Sequence, residues 1–239
     1  MDEKLRSEPK KFFMSLRDIS FWIRSARTDA ALEKLQLERG PEKAFDLLYS
    51  TKSDPFASGL SRYRYQKLKY EKLISFLPKR HYSNVLDVGC GLGPFTRELS
   101  PHAGRVLGVD LSGAAVEQAR SCSRANPNVR FEQRDIQQIG KIGGTFDLIT
   151  VLDVLYYLPN LSEDILKSVA GQIETLLAPG GIVLLVNHFF FHVDLASRQT
   201  RRIHDSFHRN SALQIVSENK RAFYLASLYS KLKCSETPN

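Results

Sequence analysis

Residues 84–99 read NVLDVGCGLGPFTREL, and their reading decides the fold. An apolar run closes on Asp87 and Val88, glycines follow at positions 89, 91 and 93, and Pro94 opens a helix-like pattern. A strand, a turn whose backbone must come close to a ligand, and a helix make the first unit of a parallel α/β sheet. Two ligand classes compete for such a turn. Dinucleotide folds use G-x-G-x-x-G to set a pyrophosphate on a helix N-terminus, but here the spacing is G-x-G-x-G and Pro94 stands at the third glycine's place. A P-loop needs Gly-Lys-Ser/Thr, which is absent. Asp87, two residues before the first glycine, works against an anionic pyrophosphate and suits a ligand with positive charge.

Downstream of the loop the same rhythm repeats. RVLGVD, VRFEQRD, FDLITVL and GIVLLVNH read as four further short strands separated by helical patterns. In the clearest of these, Leu166, Val169, Ile173 and Leu177 form an apolar stripe that stops at Pro179-Gly180-Gly181. ALQIVSE and AFYLASLY, separated by Asn219-Lys220-Arg221, read as an antiparallel hairpin that finishes the sheet. The expected fold is α/β: a doubly wound, Rossmann-like, mostly parallel seven-stranded sheet with an antiparallel C-terminal hairpin.

Upstream, residues 1–11 look like a tail. Phe12, Leu16, Ile19 and Ile23 recur at helical spacing, a second helical stretch runs from about Thr28 to Tyr49, and Pro41 is placed to open a new helix after Gly40. Lys52-Ser53-Asp54-Pro55 carries turn chemistry, and Tyr70, Leu73, Ile74 and Leu77 mark a helix ending before Pro78. The division expected is a helical extension over 1–59, contributing a lid or contacts to substrate or a second subunit, and a catalytic domain over 60–239. Segment 12–24 reads as a lid, with a membrane-surface or dimer helix as the alternative, since Phe21 and Trp22 adjoin Arg24 and Arg27.

The bulk numbers exclude several classes. With 239 residues, 42% apolar and 25% charged, the chain has the profile of a soluble globular protein. No apolar run approaches the ~20 residues of a membrane span. The opening MDEKLRSEPKK mixes charge signs and makes a poor secretory signal, and Cys90, Cys122 and Cys234 give no disulfide framework and no zinc spacing. A cytoplasmic location is expected. The net charge of +8 is uneven: residues 1–80 hold 18 Lys+Arg against 11 Asp+Glu. That third can meet an acidic partner or be a solvated helical surface, since acids are interspersed.

Two more acids end strands. Asp110 closes RVLGVD, where a carboxylate can take both hydroxyls of a ribose, and Asp135 follows VRFEQ, where an acceptor can receive an adenine amino group. VLDVGCGLG, GVDLS, RDIQQI, FDLITVLDVLYYL and LAPGGIVLL together resemble the successive motifs of class I S-adenosylmethionine-dependent methyltransferases, over about residues 83–188. The resemblance implies S-adenosylmethionine as cofactor. It implies that Asp87 and the backbone of Gly89, Cys90 and Gly91 hold the junction of methionine and adenosine, and that Asp110 takes the ribose. Leu111 and Ile136 would sandwich the adenine, Asp135 would bond its amino group, and Leu152 would face the methionine portion.

A narrower likeness joins SRYRYQKLKYEKLISFLP and VLDVLYYLPN to the NodS-like branch, which includes N-methyltransferases of rhizobial chitooligosaccharide signals. Tyr65, Lys69-Tyr70 and Leu77-Pro78 match, while Gln66 and Asp153 depart from an acid and a glutamate usual there. Tyr65 and Lys69 would lie on the helix that covers the cofactor, Lys69 pairing with the methionine carboxylate.

Methyl transfer from a sulfonium needs alignment and exclusion of water, and a hydroxyl acceptor gains from a general base. His188 or Asp153 is expected to face the acceptor, and Tyr157, with Tyr156, to shelter a cation or pack a loop. His192, His204 and His208 are polar residues of the segment beyond; His204 and His208 lack an H-E-x-x-H frame, so no metal is expected. The function expected is methyl transfer to nitrogen or oxygen of a small polar or glycosylated metabolite. A nucleic-acid methyltransferase and a non-catalytic cofactor-binding subunit are the rivals. Nucleic acid and membrane are not expected as partners, whereas a homodimer is compatible with the N-terminal helix.

Overall fold

The computed structural model describes residues 16–58, 64–158, 161–189, 195–221 and 223–232, with the side chains of 16–22 outside the description. Phe12, His192 and Cys234, and the side chains of Phe21 and Trp22, therefore lie outside the described part of the chain. Seven strands form one sheet: β1 (Tyr82–Val88), β2 (Ala103–Asp110), β3 (Val129–Gln133), β4 (Phe146–Leu152), β5 (Leu177–Phe189), β6 (Leu213–Arg221) and β7 (Phe223–Lys231). Their order is β3-β2-β1-β4-β5-β7-β6. The first five run parallel and β7 is antiparallel to both β5 and β6. Chain order reverses between β1 and β4, the switch point at which open α/β sheets leave a crevice beyond their carboxyl ends.

Seven α-helices are described: α1 (Leu16–Arg39), α2 (Pro41–Thr51), α3 (Arg64–Phe76), α4 (Pro94–Leu99), α5 (Gly113–Cys122), α6 (Glu163–Leu176) and α7 (Leu195–His208). Side chains of α3, α4 and α5 (Leu73, Phe95, Leu99, Val116) pack with Val85 and Val106 on one face of the sheet. On the other, Leu166, Val169 and Ile173 of α6 and Ile203 and Phe207 of α7 pack with Leu86, Ile149 and Val183. Both faces are covered, which is why Leu148, Ile149 and Val151 are all fully buried and β4 shows no polar alternation. Serine caps start two of these helices: the Ser112 hydroxyl accepts from Ala115 N–H at 3.1 Å and the Ser162 hydroxyl from Ile165 N–H at 3.3 Å.

Three sequence expectations are corrected. Residues 16–39 form one helix, where the sequence pattern predicts two; Ser25-Ala26-Arg27-Thr28 contains neither glycine nor proline, so nothing breaks it. The break is at Gly40, with φ +79, and Pro41 opens α2 as expected. The apolar stripe on α6 ends at Leu176, because Leu177 is already paired with Phe146 as the first residue of β5. Asn219-Lys220-Arg221 belong to β6 and pair with Ala226, Leu225 and Tyr224. An edge strand solvated on both faces carries no apolar alternation, so its end cannot be read from pattern.

The helical extension lies against the sheet's carboxyl edge. Leu32, Ala44 and Leu48 form a small core between α1 and α2, joined by Phe45, Phe56 and Tyr157. Asp46 on α2 accepts from the Ser112 hydroxyl at 2.6 Å and from Ala114 N–H at 3.1 Å, a carboxylate at the N-terminus of α5. Gln118 donates to the Tyr49 carbonyl at 2.8 Å, and Tyr157 OH donates to Asp29 at 2.8 Å. No described helix is long and apolar enough to cross a membrane.

Candidate active site

The glycine loop follows from β1. Gly89, Gly91 and Gly93 all take positive φ. A Cβ at Gly89 would meet Val154 at 2.4 Å, and one at Gly91 would meet the Tyr49 hydroxyl of α2 at 2.8 Å. Gly91→Ala is expected to lower folding stability by about 1–2 kcal/mol for the left-handed backbone and to push Tyr49 away. A denaturant titration reads the first; loss of Tyr49 fluorescence contrast against a Y49F control reads the second.

Four N–H groups of the loop are bonded within the protein. Gly89 and Cys90 N–H both donate to the Val109 carbonyl, at 2.8 and 3.0 Å, and Gly93 N–H donates to the Cys90 carbonyl. Gly91 N–H donates to Asp110 Oδ2 at 2.8 Å. A loop built for a pyrophosphate presents N–H groups to its ligand; this one turns them into the protein, and Pro94 at the start of α4 has none. The cleft is lined by the carboxylates of Asp87, Asp110 and Asp135 against the guanidinium of Arg134, a balance that suits a cation.

A cleft opens beyond β1, β2 and β4. Asp87, Gly89, Cys90, Gly91, Asp110, Leu111, Asp135, Ile136, Leu152, Asp153, Tyr157 and His188 all line it. Its non-atom space is about 1360 Å³ with the open solvent at its mouth counted in. Asp110 is oriented by Gly91 N–H and by Ser112 N–H at 2.9 Å; burial pushes its carboxyl up and those bonds partly offset it. Asp135 accepts from Gln137 N–H at 2.9 Å. Asp87 is 2% exposed and takes hydroxyls of Thr96 and Thr150 at 2.6 and 2.7 Å. Burial pushes it up to about 6, the two hydroxyls pulling the other way.

Two expectations change at α3. Tyr65 and Lys69 do not line the cleft; Gln66 and Tyr70, one position on, do. Residues 66 and 70 share one helix face and 65 and 69 the next. Tyr65 packs edge-on to Phe223 at 6.2 Å. Lys69 is buried and forms an ion pair with Asp153, so its ammonium is directed at that carboxylate and not toward a ligand. Asp153 sits at φ +52 just after β4, its N–H on the Val186 carbonyl at 2.8 Å. Burial would push its carboxyl up, but Lys69 and His188 hold it below the usual range. His188 Nδ1 lies 3.3 Å from Asp153 Oδ1 and its ring 5.3 Å from Tyr156. Burial drives its imidazole pKa down, Asp153 opposing and Lys69 assisting.

Tyr157 is held by Asp29 and by the rings of Phe45, at 5.7 Å, and Phe56, at 5.6 Å. Its hydroxyl is directed at Asp29, which makes it a wall of the cleft. His204 lies away from the cleft, buried on α7 with Nδ1 2.9 Å from the Ser227 hydroxyl. Among the described residues no group of three or more His, Cys, Asp or Glu could hold a metal ion. Sequence reasoning missed the aromatic roof of Phe45, Tyr49 and Phe56. Only the fold brings residues 45–56 over the glycine loop, which lies far along the chain. Thr96 had a signal: a hydroxyl in the first turn of the helix after the loop.

Comparisons with known proteins fit this geometry. A family model described as a methyltransferase domain matches residues 61–222. Nodulation protein S of Rhizobium tropici is 33% identical over 116 residues, 48% of this chain and 48% of that protein. Trans-aconitate 2-methyltransferase of Deinococcus radiodurans is 36% identical over 114 residues, 46% of this chain and 40% of that protein. The chain thus spans about half, or less, of the length of the curated relatives it matches. The crystal structure of N-methyltransferase NodS from Bradyrhizobium japonicum WM9, in complex with S-adenosyl-L-homocysteine, superposes with a TM-score of 0.67. It covers 80% of this chain and 97% of that one at 22% identity, a likeness of fold.

Proposed function

Because the chain belongs to the methyltransferase domain family, we propose that it transfers the methyl group of S-adenosylmethionine to nitrogen or oxygen of a small polar or glycosylated metabolite. One observation carries this reading: the N–H groups of Gly89, Cys90, Gly91 and Gly93 are bonded within the protein while Asp87, Asp110 and Asp135 line the cleft. That polarity suits a cationic nucleoside and opposes a pyrophosphate. Asp110 takes the ribose hydroxyls with the acceptor positions that Gly91 and Ser112 leave over. Leu111 and Ile136 flank the adenine and Asp135 accepts from its amino group. Asp87, Leu152 and the carbonyls of the loop face the methionine portion, with Gln66 and Tyr70 opposite.

When bound, the cofactor supplies a methyl group already activated by its sulfonium. The chain's part is to bind, align and exclude water. The extension serves as the lid: α2 covers the loop through Tyr49, and Phe45, Phe56 and Tyr157 close the side. Aromatic faces over the cleft also favour a cation. His188 and Asp153 stand where the acceptor enters.

Titration calorimetry with S-adenosylmethionine, S-adenosylhomocysteine, NAD and ATP tests the reading. Binding of the first two is expected. Heat from NAD or ATP and none from the adenosyl compounds would overturn it.

A further inference from the structure

S-adenosylmethionine carries an ammonium and a carboxylate besides its sulfonium, and the cleft is built unequally toward the two. Four carboxylates line it, from Asp87, Asp110, Asp135 and Asp153, while the cationic types among its described lining residues are Arg134 and His188. Arg134 follows β3 beside Asp135, where the adenine is assigned, and is paired with Glu132 at 3.1 Å. Burial drives the His188 imidazole pKa down, so that ring is neutral at pH 7. Lys69 does not line the cleft; its ammonium is held on Asp153 Oδ2. Among the described residues, no cation is then left to meet a ligand carboxylate at the end of β4.

Two buried oxygens belong to that same end. Gln66 Oε1 on α3 and Asp153 Oδ1 just after β4 accept no hydrogen bond among the described residues, and His188 Nδ1, 3.3 Å from Asp153 Oδ1, makes none to it. Gln66 and Lys69 are i, i+3 neighbours on α3. Because the Lys69 ammonium sits on the other oxygen of Asp153, both acceptors fall in one corner of the cleft. A buried acceptor left without a donor keeps its full desolvation penalty. A ligand N–H removes that penalty, whereas a carboxylate brings only further acceptors and a like charge. An ammonium, with three donors, is the group this corner fits. Lys69 and Asp153 offset each other, so the field at this end comes from Asp87 and from Asp29 behind Tyr157.

We infer that the cleft recognises the ammonium of its adenosyl ligand and not the carboxylate, and that its ligands include the decarboxylated sulfonium nucleoside, whose sulfur carries an aminopropyl arm. That compound keeps adenine, ribose, sulfonium and ammonium, so Asp135, Asp110 and Asp87 meet the same groups as before. It holds two positive charges and no negative one, which matches the acid-rich lining more closely than S-adenosylmethionine does. The inference rests on the adenosyl-binding reading proposed above and extends it to a ligand of different charge. Gln66 is its specificity-determining residue: a neutral amide whose buried oxygen selects a donor.

Titration calorimetry of the full chain with three compounds separates the groups: S-adenosylmethionine has ammonium and carboxylate, its decarboxylated form has the ammonium alone, and methylthioadenosine has neither. The decarboxylated form is expected to bind at least as tightly as S-adenosylmethionine, and methylthioadenosine more weakly than both. Gln66→Met should weaken the decarboxylated compound roughly tenfold and leave methylthioadenosine unchanged. Gln66→Lys, which sets a cation in the corner, should reverse the preference in favour of S-adenosylmethionine. Where either variant does not fold, the three-compound series on the native chain decides alone. Tighter binding of S-adenosylmethionine than of its decarboxylated form by the native chain means that the carboxylate is recognised, and overturns this inference alone. An equal loss of affinity for methylthioadenosine and the decarboxylated compound in Gln66→Met also overturns it. Binding of none of the three overturns the proposed function and this inference with it.

Discussion

Asp110→Ala is expected to weaken S-adenosylmethionine binding by about 1.5–3 kcal/mol, roughly a 10- to 150-fold rise in Kd. The carboxylate has two oxygens, each already holding one backbone N–H, from Gly91 and Ser112. Their remaining acceptor positions open onto the cleft, where two vicinal hydroxyls can each donate one bond. Alanine removes both, and also leaves the N–H groups of Gly91 and Ser112 without their acceptor. Thermal stability should fall as well, by a few degrees, for about 1 kcal/mol per lost bond. Asp110→Asn separates the two effects. Its carbonyl still receives one N–H, so part of the stability returns, while its NH2 accepts from neither the second N–H nor a hydroxyl. Calorimetry and a thermal melt on the same two variants check the prediction; equal affinity in native chain and Asp110→Ala would place the ribose elsewhere.

The carboxyl edge of the sheet was legible in the sequence because its signals are local. An apolar run closing on an acid and glycines at every second position are each set by backbone geometry within a few residues, and β1, β2 and β4 end at the quoted motifs. What was not legible is set at long range. Lys69 carries the same helical spacing as a cofactor-facing residue, and only the rotation of α3 against β7 decides that it meets Asp153 and stacks over Tyr224, 5.5 Å away. The continuity of α1 was missed for a related reason. Thr28 and Ser25 look like helix-capping residues, yet both are buried and Thr28 donates to the Pro55 carbonyl at 2.9 Å. The partner that keeps Thr28 in mid-helix is 27 residues away. Asp87 shows both sides. Its placement was readable from the motif, while its two threonine partners, from α4 and β4, depend on the sheet being assembled.

Those partners give Asp87 a pH dependence that can be worked out by sign. Burial raises its carboxyl to about 6, whereas an unfolded carboxyl titrates near 4. Between those values the native chain holds a proton that the unfolded chain has released. The stability from Asp87 is therefore fully present below about pH 4 and is lost as pH climbs through about 6. Two units correspond to about 3 kcal/mol, a cost carried at neutral pH for the sake of an ionised group in the cleft. A cationic ligand reverses the sign, because it favours the carboxylate and expels the proton. Affinity for S-adenosylmethionine should then fall about tenfold between pH 7 and pH 5, with proton release on binding near pH 6. Calorimetry in two buffers of different ionisation enthalpy measures that release. Asp87→Asn should abolish it, flatten the stability profile between pH 4 and 6, and bind the sulfonium compound more weakly than its neutral demethylated product. If binding near pH 6 takes up protons instead, Asp87 does not face the cation, and the cleft's selectivity for positive charge must come from the loop carbonyls alone.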